Sequence, residues 1–180
     1  MRHPLILATC VIAAGCGSRE ATATWAPPET LTFRGGSDCG PKGHDVQIRV
    51  RKLVVGRRSW RVDATLANRT GVALQVVRPH HLHTVECGLD VFDTNTLAEV
   101  EWRAARKALH NGALAERVVP PLAGVLRPGD RWAGSFSAPG RLPRGKYVRV
   151  VFGRFVVPGG KVPAGLAARF FCTTDDAPRL

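Results

Sequence analysis

One tyrosine, one methionine and five serines in 180 residues leave little material for hydroxyl or thioether chemistry. No Gly-x-Ser-x-Gly elbow, His-Glu-x-x-His helix, Cys-x-x-Cys pair or phosphate-binding glycine loop occurs. The usual templates for acyl transfer, zinc hydrolysis, dithiol redox chemistry and nucleotide binding are therefore missing, and no enzyme is expected. The longest apolar run, Leu5 to Ala14, is about half the roughly 20 residues that a membrane-crossing helix needs. Acids are also scarce, 14 against 26 Lys and Arg, so the formal charge is +12.

The apolar run follows Met1-Arg2-His3-Pro4 and ends at Ala13-Ala14-Gly15-Cys16. One cation, a short apolar stretch and small residues before a possible cut have the proportions of a secretory leader. Ala13-Ala14-Gly15-Cys16 resembles the lipobox of bacterial lipoproteins, with Ala13 where leucine is more usual. The resemblance implies cleavage of residues 1–15, a diacylglycerol thioether on Cys16, and residence in the cell envelope. Each buried methylene of such a lipid contributes about 0.8 kcal/mol, so several acyl chains suffice for stable membrane attachment. The competing reading is an ordinary secretory leader with a coincidental cysteine. Residues 16–43, with Ala21-Thr22-Ala23-Thr24 and Pro27-Pro28, read as a lipidated cysteine and flexible tether.

The remaining length suits one domain with its own core, expected over residues 44–174 with a disordered tail at 175–180. A basic chain favours nucleic acid, anionic headgroups or acidic polymers. Export removes nucleic acid from that set. The arginines, 21 against 5 lysines, are dispersed along the chain, which base composition of the genome explains as well as binding does.

From residue 44 the apolar pattern has period two. Val46, Ile48 and Val50 alternate with Gln47, Arg49 and Arg51, and Trp60, Val62, Ala64 and Leu66 alternate with Arg61, Asp63 and Thr65. Alternation of this kind buries one face of an antiparallel sheet and wets the other. Asn68-Arg69-Thr70-Gly71 marks a turn into Val72, Leu74 and Val76. Further strands are expected at Leu89–Asp93, Glu99–Arg103, Arg131–Ser137, Tyr147–Phe155 and Gly165–Cys172. Breakers separate them: Pro120-Pro121, Arg127-Pro128-Gly129-Asp130, Pro139-Gly140 and Pro158-Gly159-Gly160. The fold class is thus all-β, an antiparallel β-sandwich of seven to eight strands. Thr96-Leu97-Ala98-Glu99 has the spacing of a capping box, and a short helical or irregular insertion is expected near residues 104–117.

This order of turns, with Leu126-Arg-Pro-Gly-Asp130 and Pro143-Arg-Gly-Lys-Tyr147 each introducing a strand, is similar to immunoglobulin-like sandwiches of bacterial envelope lipoproteins. It is more loosely similar to the bacterial intracellular proteinase inhibitor family. The resemblance covers about Asp45 to Phe155 and rests on turn motifs, which speak to fold and hardly to activity. It implies a corner role for Tyr147, its hydroxyl bonded to nearby backbone. No inhibitory residues can be matched.

Three groups of residues carry candidate chemistry. Outside the cytoplasm a disulfide can persist, and Cys39, Cys87 and Cys172 allow three single pairings. Cys172 shares the inward phase of Leu166, Ala168 and Phe170, and Cys87 that of Leu89 and Val91, so Cys87–Cys172 is the expected bridge. An extra or missing strand near Val118 would favour Cys39–Cys172 instead. The stretch Arg78-Pro79-His80-His81-Leu82-His83-Thr84-Val85-Glu86-Cys87 would, if extended, turn His81, His83 and Cys87 to one side, a donor set suited to copper or zinc. His44 or His110 could complete such a site. The competing reading is a solvated loop, and a disulfide at Cys87 would exclude its use as a ligand. Exposed Arg57, Arg58, Arg141 and Arg144 are the candidate contacts for an anionic partner, whereas Glu99 and Glu101 read as a solvated edge.

The leading expectation is a non-catalytic envelope lipoprotein, attached to the membrane through Cys16, that binds an envelope protein or anionic envelope polymer. The alternative is a periplasmic metal-handling protein using His81, His83 and Cys87. A weaker third is inhibition of envelope proteases by loop insertion.

Overall fold

Apolar side chains at every second position bury together only if the chain is extended, and residues 59–68 show it most clearly. Trp60, Val62, Ala64 and Leu66 are buried, while Ser59 and Arg61 are exposed. The computed structural model describes residues 28–77, 87–93, 112–159 and 162–180. Its strands are β1 (Glu29–Leu31), β2 (Gly36–Cys39), β3 (Val46–Val55), β4 (Ser59–Asn68), β5 (Leu74–Val76), β6 (Cys87–Phe92), β7 (Gly112–Leu114), β8 (Arg117–Val119), β9 (Val125–Leu126), β10 (Arg131–Pro139), β11 (Tyr147–Val156) and β12 (Arg169–Thr173).

They form two antiparallel sheets. The first runs β1-β3-β4-β10-β8, with β2 also on β3; the second runs β7-β6-β11-β5-β9, with β12 also on β11. No helix occurs among the described residues. The all-β antiparallel sandwich is therefore what the alternation implied. The strand count exceeds seven to eight because the sheet borders are built from short pieces. β1 and β2 both pair with β3, and β5 and β6 share one side of β11 while β12 takes the other.

The sheets meet through a file of edge-to-face aromatic rings. Trp60 meets Phe136 at 6.0 Å between centroids, Phe136 meets Phe152 of the second sheet at 5.2 Å, and Phe152 meets Trp132 at 5.8 Å. Such contacts add to area burial because ring edges are positive and ring faces negative. The Trp132 indole, too polar to bury bare, donates to the Pro120 carbonyl at 2.9 Å. One irregularity breaks the simple alternation: the β3–β4 register slips between Val50 and Lys52. Arg51 is thereby extra, Arg51 and Lys52 both face outward, and Leu53 returns to the core.

Four expectations change. The tether does not extend to residue 43, because Glu29 pairs with Val55 and Cys39 with Val46. Without β1 and β2 the edge of β3 would present unpaired backbone; their short polar sequences carry no periodic signal. Residues 175–180 are docked: Ala177 is buried, Leu180 N–H donates to the Lys146 carbonyl at 2.8 Å, and Arg179 bridges Tyr147. The expected insertion near 104–117 lies outside the described residues up to 111; beyond that, Gly112–Leu114 is β7, and Ala115 and Glu116 link it to β8 at Arg117. There β7 pairs with β6 over Gly88, where a Cβ would stand 2.6 Å from the Ala113 carbonyl oxygen. The expected strand Glu99–Arg103 also lies outside the described residues.

The fourth correction concerns the disulfide, which joins Cys39 to Cys172 across a Cα separation of 5.6 Å. Cys87 and Cys172 cannot pair because both flank Phe152, one on each side of β11. Two strand spacings put their backbones about 9–10 Å apart, beyond the ~7 Å that a disulfide spans. Cys39, at the end of β2, lies instead beside β12 where the two sheet borders meet. The segment around Val118 is the short strand β8 on β10.

Candidate functional site at the arginine end

Antiparallel connection decides which loops share an end. β3 and β4 are joined by a tight turn at residues 56–58, closed by the Gly56 N–H on the Ser59 carbonyl at 2.8 Å. Ser59 pairs with Pro139, so β10 finishes beside that turn. The Gly140 N–H then donates to the Arg58 carbonyl at 2.8 Å, which ties the β10–β11 loop to the β3–β4 turn. Gly140 has φ +116°, a conformation that a side chain would strain, so the chain can reverse directly after Pro139. The outcome is that Arg57, Arg58, Arg141 and Arg144, dispersed in sequence, are all exposed on one end of the sandwich.

The tail adds to this end. The Gly145 N–H donates to a Leu180 oxygen at 2.6 Å and Arg179 Nε donates to the Gly145 carbonyl at 3.2 Å, bringing Arg179 beside the loop. Lys146 forms an ion pair with Asp93 at the end of β6. Between β6, β7 and the β10–β11 loop lies an open groove of about 420 Å³. Val91, Phe92, Leu142 and Pro143 supply its apolar lining, and Arg141 and Lys146 its cations. Among the described residues, Arg58, Arg141 and Arg144 pair with no carboxylate. Arg69, in contrast, is committed at the opposite end: its guanidinium grips the buried Asp45 carboxylate at 2.8 and 3.1 Å. Sequence reading missed Lys146 and Arg179 as members of the cluster. Lys146 stood in a turn motif, and Arg179 arrives only because the tail docks.

The metal-ligand expectation is divided. His80, His81, His83 and His110 lie outside the described residues, as do Cys16, Glu99 and Glu101. Cys87 is described and wholly buried, so its sulfur is not presented to solvent. Burial pushes its thiol from 9.0 up to about 12, against a smaller opposing effect of a backbone hydrogen bond from Gly153. His44 is exposed near Gly71, at the end opposite the arginines. Among the described residues no three His, Cys, Asp or Glu side chains converge. Tyr147 opens β11, and its hydroxyl has no hydrogen bond among the described residues; the bonded corner is built by Asn68 instead.

The Cys87 thiol gives a direct check on this interior. Peptide mapping after labelling with a thiol reagent at neutral pH should find Cys87 unmodified in native protein and modified on unfolding. The folded value exceeds the unfolded one, so the contribution is complete below pH 9.0 and falls as pH rises toward about 12. The loss should approach about 1.4 kcal/mol per pH unit there. Urea titrations of the parent and Cys87→Ala at rising pH would measure it, the variant lacking the slope.

Compared with family models, curated proteins and solved structures, the chain matches none.

Proposed function

We propose that this chain is an exported bacterial envelope protein, lipid-anchored at Cys16, whose immunoglobulin-like sandwich is a non-catalytic binding module for an anionic envelope polymer or envelope protein. One observation carries the reading: the fold gathers Arg57, Arg58, Arg141 and Arg144 from separate turns onto one exposed end. Guanidinium groups suit this use, because a planar fork can hold carboxylate or phosphate through two parallel hydrogen bonds. The leader and Ala13-Ala14-Gly15-Cys16 support the location.

Retention on isolated envelope material tests the proposal. The processed protein should be released progressively by salt, since exposed charge pairs are screened beyond a Debye length of about 8–10 Å. Reversing the four positions, Arg57→Glu, Arg58→Glu, Arg141→Glu and Arg144→Glu, should abolish the salt-sensitive fraction while urea stability stays close to the parent. Unchanged retention would sink the arginine end as the contact.

A further inference from the structure

Resting on the lipid-anchor reading, we infer that the arginine end docks on the anionic headgroups of the same membrane that holds Cys16. The domain then stands end-on with its opposite end outward. The root of the tether carries the argument. Glu29 opens β1 and pairs with Val55, the residue before the Gly56-Arg57-Arg58 turn. The chain thus leaves the sandwich at its cationic end. Twelve residues, Gly17 to Pro28, separate Cys16 from that point. As a coil they span about 20 Å, and fully extended no more than about 40 Å. The ten residues of β4 place the other end about 33 Å further away. A tether of this length brings the rooted end toward the headgroups first.

Charge at that end is complementary. Arg57, Arg58, Arg117, Arg141, Arg144, Lys146 and Arg179 stand against Glu29, Asp93 and Glu116, the last held beside the end of β10 by its N–H on the Ser137 carbonyl. Asp93 is engaged by Lys146, and a Leu180 oxygen accepts the Gly145 N–H. The four arginines of the two turns are all exposed. Near an anionic surface each such cation raises the partition by about fivefold.

The test uses the processed lipoprotein in vesicles of phosphatidylcholine alone or with phosphatidylglycerol. A fluorophore is placed at Ser59→Cys beside the arginine turn, or at Lys42→Cys at the opposite end, and headgroup-borne quenchers report proximity. Docking requires strong quenching at 59 and weak quenching at 42, only with phosphatidylglycerol. It also requires that Arg57→Gln, Arg58→Gln, Arg141→Gln and Arg144→Gln return position 59 to the phosphatidylcholine level with the anchor in place. Equal quenching at both positions, or quenching indifferent to phosphatidylglycerol, overturns it. So does release from the vesicle surface onto added envelope polymer, which would leave the binding-module proposal standing.

The anchor is read separately, by the intact mass of the processed protein. Should Cys16 carry no acyl chains, the lipid-anchor reading fails by itself, and vesicle sedimentation of the unacylated chain still tests the surface. There the four neutral substitutions should weaken binding to phosphatidylglycerol vesicles roughly 600-fold, four factors of about five. Inorganic phosphate at equal ionic strength should not compete. No binding by the parent overturns the inference.

Discussion

Replacing Cys39 or Cys172 by serine should lower the free energy of unfolding by about 4 kcal/mol, more than any other single change at a cysteine here. The bridge closes 133 residues, nearly the whole described domain, so it removes a large share of the freedom of the unfolded chain. Urea midpoints with and without reductant would measure the effect. Peptide mapping of unreduced protein should find Cys39 joined to Cys172, and Cys87→Ala should leave that linked peptide intact. If Cys87→Ala instead removed the linkage, the position of β12 on β11 would be wrong. The bridge also holds β2 against β12, so its loss should loosen the border where residues 36–39 pair with β3.

Asn68→Ala should cost about 3–4 kcal/mol, although it deletes only a small polar group. The side chain is fully buried where β4 leaves the first sheet for β5 of the second. Its Nδ2 donates to the Val72 carbonyl at 2.8 Å and the Leu126 carbonyl at 2.9 Å. Its Oδ1 accepts from the Thr70 N–H at 3.0 Å and the Thr70 hydroxyl at 2.7 Å. Alanine satisfies none of these groups, and each buried polar group left bare costs about 1–3 kcal/mol. Asn68→Asp should be at least as damaging, because a carboxylate keeps the acceptor and turns the other oxygen toward two carbonyls. Thr70→Val, which removes one hydroxyl and keeps the N–H, should cost about 1–2 kcal/mol. Equal midpoints for all three would mean that the corner bonds do not hold the sheets together.

The central strands were legible because their information is local. Trp60 to Leu66 and Val46 to Val50 carry period-two burial in consecutive residues, and any sheet they join must bury that face. Asn68-Arg69-Thr70-Gly71 and Pro139-Gly140 were legible as turns because positive φ and side-chain-to-backbone bonds are properties of neighbouring residues. Border strands were not, since Gly36-Ser37-Asp38-Cys39 and Gly112-Ala113-Leu114 are extended only because β3 and β6 offer them partners. The candidate site divides in the same way. The four arginines could be named from turn positions, whereas Lys146 and Arg179 required the loop and the docked tail.

What the amino-acid sequence determined by itself was an all-β chain of alternating strands, the positions of its main turns, and an excess of arginine outside the core. Period, turn chemistry and charge belong to residues near one another along the chain. Which cysteines meet, and which turns share an end, was decided by tertiary structure alone. Cys87 and Cys172 have the same inward phase, yet β11 stands between them, so strand order overrides facing. Arg58 and Arg141 lie in separate turns, yet antiparallel pairing of β4 with β10 sets them side by side. Both outcomes depend on pairings between distant segments, and local sequence holds no energy that distinguishes one such arrangement from another.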